Sequence, residues 1–256
     1  MTTDAGHTID STLISPVVNR YPASPSDLLP SGIVLADCAG MWRFDNTGSH
    51  LNDRTANGTN FAWLGGTGYS PINAEGVEAL HIKGPYLKSA VPAAELAITD
   101  DLTLELFIRP RYSTTAELFM MSFEGAAAHE DSNVLYILAR TAQGSVKIYQ
   151  EHDTNVSEDK DFKQAVIPDA LWTHLVATRA SNGLDWIIYL QGLARQSYSF
   201  PNAPTGGNDG IFTLAGGQGG ASRWIAGIAG AAVFNQTWTP AQVAERYASL
   251  RGPIAA

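Results

Sequence analysis

The sequence predicts an all-β protein: a sandwich of two antiparallel sheets, preceded by an extended N-terminal arm and closed by one short C-terminal helix. Three observations predict it. Apolar runs of strand length recur from Ile33 to Phe234, separated by Gly, Pro, Asn and Asp. The stretch Leu171 to Gly192 reads as a β-hairpin. A single helical period follows, at residues 239–250, with start and stop signals at its ends.

The hairpin organises the rest. Trp172, His174, Val176 and Thr178 alternate with Thr173, Leu175 and Ala177, so successive side chains point to opposite faces. Asn182-Gly183 supplies the turn, since both residues tolerate positive φ. Asp185 to Leu190 returns, and a turn at Gln191-Gly192 leads into another strand, Ala194 to Phe200. Both faces carry apolar residues, which puts the hairpin inside a packed sandwich. Trp172 and Trp186 are expected in the core, and His174 is expected to be buried and hydrogen-bonded.

Taken in order, residues 1–32 hold Pro16, Pro22, Pro25 and Pro30 among Ser, Thr and Asp, with no sustained period, and read as an extended arm. From Ile33 the pattern is globular. Gly40 to Asp45, Phe61 to Leu64, Ala79 to Ile82 and Tyr86 to Lys88 are short strands. Asp101 to Arg109 places Leu102, Leu104, Leu106 and Ile108 on one face and Thr103, Glu105 and Phe107 on the other. Leu118 to Phe123, Val134 to Ala139 and Ser145 to Gln150 continue the series. The acid- and amide-rich residues 153–161 read as a solvated loop, and the Gly-rich residues 206–220 as a tight connection around the strand that starts at Ile211. Trp224 to Phe234 is the last core strand. The helix has Thr239 as N-cap, Pro240 at N1 and Gln242 at N3, a capping box. Val243, Tyr247 and Leu250 share one face, and Gly252-Pro253 stops it. The organisation is thus an arm (1–32), a sandwich (33–250) and a short tail (251–256).

Composition narrows the function. The chain has 256 residues, enough for a full core in one domain. Its 16 Lys and Arg against 25 Asp and Glu give a net charge of −9. Nucleic acids and anionic membranes need a concentrated basic surface, so neither is an expected partner. Cys38 is the only cysteine, so no intrachain disulfide forms, and it reads as a small buried apolar residue. The opening MTTDAGHTIDSTLI carries no secretory signal, so synthesis in the cytoplasm is expected.

Several motifs resemble one family. W-T-H-L-V-A-T-R, then N-G, then I-Y-L-Q-G is similar to the W-x-H-V-A, turn, L-Y-V-N-G signature of the laminin-G-like, concanavalin A-like jelly rolls. Asp53-Arg-Thr-Ala-Asn-Gly58 resembles that family's D-x-(S/T)-x-N-G loop. DLTLELFIR followed by Pro110, the strand from Ile211 to Gly217 and the T-P-A-Q-V-A-E-R-Y helix are similar to further family elements, and together the resemblance covers about residues 33–250. It implies a concanavalin A-like jelly roll. Glycanases on that fold carry E-x-D-x-x-E on one strand. The nearest match, Glu151-His-Asp153-Thr-Asn-Val156, lacks the third carboxylate. At two positions where relatives place a calcium-binding Asp, this chain has Lys83 and Ala229. A separate acid-amide cluster, Asp153, Asn155, Glu158, Asp159 and Asp161, is the candidate Ca²⁺ set, weighed against the solvated loop. Candidate sugar-stacking aromatics are Trp63, Tyr69, Tyr112, Tyr149 and Trp224, weighed against core packing.

No G-x-S-x-G elbow, H-E-x-x-H or P-loop occurs, so the expectation is a non-catalytic interaction module without a required cofactor, Ca²⁺ being the one candidate. The leading reading is a structural, decoration or tail-associated protein on the virion surface of a tailed bacteriophage, docking on neighbouring subunits through its N-terminal arm. The alternative is a lectin-like adhesion module that binds cell-surface glycan. A third is a divergent glycoside hydrolase acting through Glu151 and Asp153.

Overall fold

A computed structural model describes residues 29–44, 51–64, 69–74, 77–83, 86–89, 93–110, 117–124, 134–153, 156–180, 182–205, 210–216 and 225–250. Its strands are β1 (Cys38–Arg43), β2 (Phe61–Leu64), β3 (Tyr69–Ala74), β4 (Val77–Lys83), β5 (Tyr86–Ser89), β6 (Leu102–Pro110), β7 (Leu118–Glu124) and β8 (Tyr136–Arg140). They continue with β9 (Ser145–Asp153), β10 (Val156–Val166), β11 (Thr173–Arg179), β12 (Asp185–Leu190), β13 (Leu193–Ser199), β14 (Ile211–Leu214) and β15 (Ile225–Phe234), and the helix α1 (Pro240–Leu250) follows. One sheet has the order β13-β12-β11-β6-β15-β4-β3, with β1 also on β15, and the other has the order β10-β9-β8-β7-β14-β5-β2. Every pairing is antiparallel, as the alternating sequence requires.

The period of two in β6 decides the layering. Leu102, Leu104, Leu106 and Ile108 enter the core between the sheets, with Trp42, Trp186, Ile188, Leu138, Ile148 and Phe212. Phe107 points the other way, into a second apolar layer with Ile33, Met41, Trp172, Val176, Tyr189, Trp238, Val243 and Leu250. That layer lies on the outer face of the eight-stranded sheet and includes the apolar face of α1. The central hairpin therefore buries both faces, as its sequence predicts. The capping box also forms: Thr239 Oγ1 accepts the Gln242 N–H at 3.3 Å, and Gln242 Oε1 accepts the Thr239 N–H at 2.8 Å.

The structure departs from the sequence reading at three places. Asn182-Gly183 does lie in the turn between β11 and β12, but not with both residues at positive φ. Only Gly183 has positive φ, and Asn182 acts through its side chain, whose Oδ1 accepts the Leu184 N–H at 3.0 Å. The two-residue turn with both φ positive is Gln191-Gly192, at 54° and 77°, between β12 and β13. Second, residues 156–166 form β10 rather than a loop. Its charges suit an edge strand, which bonds a neighbour on one side only, while Phe162 and Ala165 anchor it in the core. Third, Tyr69–Ala74 adds an edge strand, β3, despite Pro71; proline is tolerated at a sheet edge because one side of the ladder is free.

The helix is held by buried charge. Glu105, on the outer face of β6, is 0% exposed. Arg246 grips it with two bonds, Nε to Oε1 at 2.8 Å and Nη2 to Oε2 at 2.9 Å. His174 Nε2 lies 2.9 Å from Oε1, and its ring stacks on Tyr247 at 5.7 Å. His174 is thus buried and hydrogen-bonded, as expected. Burial drives the Glu105 carboxyl upward, but the Arg246 charge and the bonds from His174 and Arg246 outweigh it and hold the group well below the usual carboxylate range.

Candidate functional site

The seven-stranded sheet has one face in the core and one facing outward. Its register aligns Ala62, Lys88, Thr213, Ser122, Ile137, Tyr149 and Asp159 in one cross-strand row on the outward face. Phe119, Val134, Ile137 and Ala139 make an apolar floor there, and the partly exposed Tyr149 packs against it. Phe119 and Tyr149 meet with ring centroids 6.0 Å apart, tilted by 55°.

Charged groups surround that ring. Lys147, two residues before Tyr149 and so on the same face, sits 4.4 Å from its centroid. The Lys147 Nζ lies 3.0 Å from Asp159 Oδ2 and 3.4 Å from Glu117 Oε2. The Tyr149 hydroxyl donates to Glu117 Oε1. Partial burial works against the Lys147 cation, but the Tyr149 hydroxyl, Asp159 and Glu117 outweigh it and raise its pKa. Burial and the bond to Glu117 raise the Tyr149 hydroxyl as well. The cluster therefore sets an ammonium and a neutral phenol beside the acidic side chains of Glu117 and Asp159 around one aromatic ring.

A second polar group occupies the same face nearer its middle. Ser122 Oγ donates to Glu124 Oε1 at 2.5 Å and lies 2.7 Å from Thr213 Oγ1. Glu151 Oε2 accepts the Val134 N–H at 2.9 Å. Both carboxylates are buried, Glu124 at 0% and Glu151 at 8% exposure. Glu151 thus fixes a strand start.

Among the described candidates only Tyr149 and Asp159 come together, opposite each other in the β9–β10 register. Trp63, on β2, packs partly buried against the core between the sheets, away from Tyr149. Tyr69 opens β3 and Asp153 closes β9, and their side chains lie outside the described part of the molecule, as do Tyr112, Asn155 and Trp224 entirely. Glu158 and Asp159 are neighbours on a strand and face opposite ways. Glu158 Oε1 accepts the Asn202 amide at 2.7 Å and lies 3.3 Å from His152 Nδ1, while Asp159 pairs with Lys147. Asp161 accepts the Ser145 hydroxyl at 2.5 Å. Among the described residues no three His, Cys, Asp or Glu gather as metal ligands. Lys83 is exposed at the end of β4, and Ala229 is buried on β15. Sequence reasoning named Tyr149 but missed Lys147 and Glu117. The alternation S-V-K-I-Y-Q, with Val146 and Ile148 in the core, is the signal that places Lys147 beside Tyr149.

The D-x-(S/T)-x-N-G loop turns out to be architectural. Asp53 Oδ1 accepts the Met41 and Thr55 N–H groups at 3.0 and 2.9 Å, and Oδ2 accepts the Thr55 hydroxyl and Thr59 N–H at 2.7 and 3.1 Å. Asn57 Nδ2 reaches the Ala39 carbonyl at 2.8 Å. The motif thereby satisfies the open edge of β1.

No curated protein matches the chain in sequence. Among solved structures, domain 4 of AbnA, a GH43 extracellular arabinanase from Geobacillus stearothermophilus in complex with arabinotriose, has a TM-score of 0.61 at 19% identity, covering 82% of this chain and 98% of that domain. The receptor binding domain of botulinum neurotoxin C/D mosaic serotype has a TM-score of 0.63 at 10% identity, covering 84% of this chain and 52% of that one. A Trypanosoma rangeli sialidase mutant displaying trans-sialidase activity has a TM-score of 0.59 at 12% identity, covering 87% of this chain and 35% of that one. The chain thus spans about half of the toxin domain and about a third of the sialidase. At such identities the likeness is one of fold. The laminin-G-type family model, described as the concanavalin A-like lectin/glucanases superfamily, matches residues 83–244, most of the sandwich and the start of α1. Two antiparallel sheets, the central hairpin and the capped closing helix agree with that match, and the chain belongs to the concanavalin A-like lectin/glucanases superfamily.

Proposed function

We propose that the chain is a non-catalytic, lectin-like module that binds carbohydrate on the outward face of the seven-stranded sheet, around Tyr149. One observation carries the reading: a partly exposed aromatic ring is fixed on an apolar floor and ringed by Lys147, Glu117 and Asp159. A sugar ring has an apolar CH face that stacks on an aromatic, and hydroxyls that need both donors and acceptors. Tyr149 supplies the first, and the ammonium and carboxylates supply the second. The arabinotriose complex of the arabinanase domain supports this class of ligand for the fold. No catalytic step is assigned. The virion-surface reading, with residues 1–32 docking on a neighbouring subunit, rests on the sequence alone; the neighbours described above favour the lectin-like alternative.

The test is a glycan array probed with the full chain, followed by calorimetric titration of the best ligand. Binding that Tyr149→Ala weakens at least tenfold, with the circular dichroism spectrum unchanged, is the expected result. A flat array, or binding indifferent to Tyr149, refutes the reading.

A further inference from the structure

Resting on that reading of Tyr149, we propose that the site selects uncharged glycans and excludes sugars bearing carboxylate or sulfate groups. The charge around the ring carries the inference. Lys147 is the cation over Tyr149, and both of its near carboxylates already claim it, at 3.0 Å from Asp159 and 3.4 Å from Glu117. Asp161 stands directly across from Lys147 in the β9–β10 register, on the same face. One ammonium therefore faces three carboxylates. On β10, Lys160 turns to the other side and lies 4.2 Å from the Tyr198 centroid, while the exposed Lys163 stands two residues beyond Asp161.

An anionic sugar stacked on Tyr149 meets this surplus negative charge, and the one ammonium over the ring is already paired with Asp159 and Glu117. Like charges in such proximity oppose binding, the more so as water leaves the interface. The net charge of −9 adds repulsion at long range. A neutral sugar has no such conflict. Its hydroxyls are donors, and carboxylates are acceptors with several lone-pair sites each. Asp159, half exposed, is placed to take a hydroxyl while it still holds Lys147.

The experiment uses the full chain on an array that pairs each neutral glycan with its sialylated, uronic-acid or sulfated counterpart. Titrations follow with wild type, Tyr149→Ala, Asp159→Asn and Glu117→Gln. Neutral glycans should bind in a Tyr149-dependent way, and their acidic counterparts about tenfold more weakly or worse. Asp159→Asn, which alters an exposed carboxylate, should narrow that gap several-fold by releasing Lys147, and so should high salt. Acidic glycans that bind as well as neutral ones, still dependent on Tyr149, overturn the charge selection and leave the site standing. A gap unmoved by Asp159→Asn, Glu117→Gln and salt also overturns it. Absence of any Tyr149-dependent glycan overturns the site itself.

Discussion

Replacing Arg246 by Met should be among the most damaging single changes in the molecule. The helix meets the sheet through a charge cluster, with Glu105 and His174 each 0% exposed and Arg246 1%. Arg246 donates both bonds of a bidentate pair, at 2.8 and 2.9 Å. Without it the Glu105 carboxylate stays buried, still 2.9 Å from His174 Nε2 but without its cation. Breaking one side of such a pair costs about 3–5 kcal/mol, because the surviving charge is uncompensated. For a chain of this size that corresponds to a Tm loss of about 6–20 °C. The double variant Glu105→Leu/Arg246→Met should recover much of the loss, since apolar side chains can replace a buried ion pair at little cost. Urea denaturation at pH 7 measures all three proteins. The pH dependence has a defined sign. The Glu105 carboxyl is held below its unfolded value, so the unfolded chain binds more protons in acid. Its stabilisation is complete above a pH of about 4.3 and is lost as pH falls below that. The double variant should lack this part of the acid loss. A single-variant loss under about 1 kcal/mol, or a double variant no better than Arg246→Met, would refute the reasoning.

Three further outcomes follow from local geometry. Asp53→Ala removes four hydrogen bonds to one carboxylate and should cost about 2–4 kcal/mol in urea denaturation, whereas a loss within experimental error would show the loop to be dispensable. Gly192→Ala puts a methyl 2.9 Å from Tyr247 Cδ1 at a φ of +77°, while Gly58→Ala, at +73°, meets open space; the first should lower the Tm more than the second, and equal losses would assign the cost to backbone alone. Burial first, then Asp53 and Glu105, pushes the Cys38 thiol up to about 12, so the folded chain should resist a thiolate-specific reagent at pH 8 and react promptly in urea. Rapid labelling of the folded chain would contradict the burial.

Wherever one period governed a segment, the sequence was legible. The leucines of β6 face the inter-sheet core and Phe107 the helix layer, as their alternation demands. Thr239 and Gln242 announce the start of α1 because capping is a local device. β10 was not legible, because V-S-E-D-K-D-F-K-Q-A-V has the composition of a loop; its strand state comes from pairing with β9 and from the burial of Phe162 and Ala165. The Glu105–Arg246 pair spans 141 residues, so neither partner identifies the other from the chain alone. At the candidate site, Tyr149 was visible as an aromatic in a polar setting. Glu117 was not, since it reaches the ring only after β7, β8 and β9 are laid side by side.

Under the proposed function the two outward faces of the sandwich take opposite roles, and the reason is where α1 lies. On the eight-stranded sheet the helix covers Phe107, Val176 and Tyr189, and the chain entering the domain is tied to it. Ser31 donates through its N–H and its hydroxyl to Glu245, each at 2.9 Å, and the Gln242 amide donates to the Ser31 carbonyl at 3.0 Å. That face is committed to stability. On the seven-stranded sheet, β9 secures itself through Val146 and Ile148 in the core, which turns Lys147 and Tyr149 to the other side of the same strand, where the proposed glycan site lies. The two kinds of residue are therefore separable by experiment. Changes at Arg246 or Glu105 should move the urea midpoint and leave glycan preference intact in the folded fraction. Asp159→Asn should change preference and hardly move the midpoint, because a half-exposed ion pair contributes about 0–1 kcal/mol. If both sets of variants moved both quantities together, the helix layer and the Tyr149 face would be one coupled unit, and the division of labour between the two sheets would be wrong.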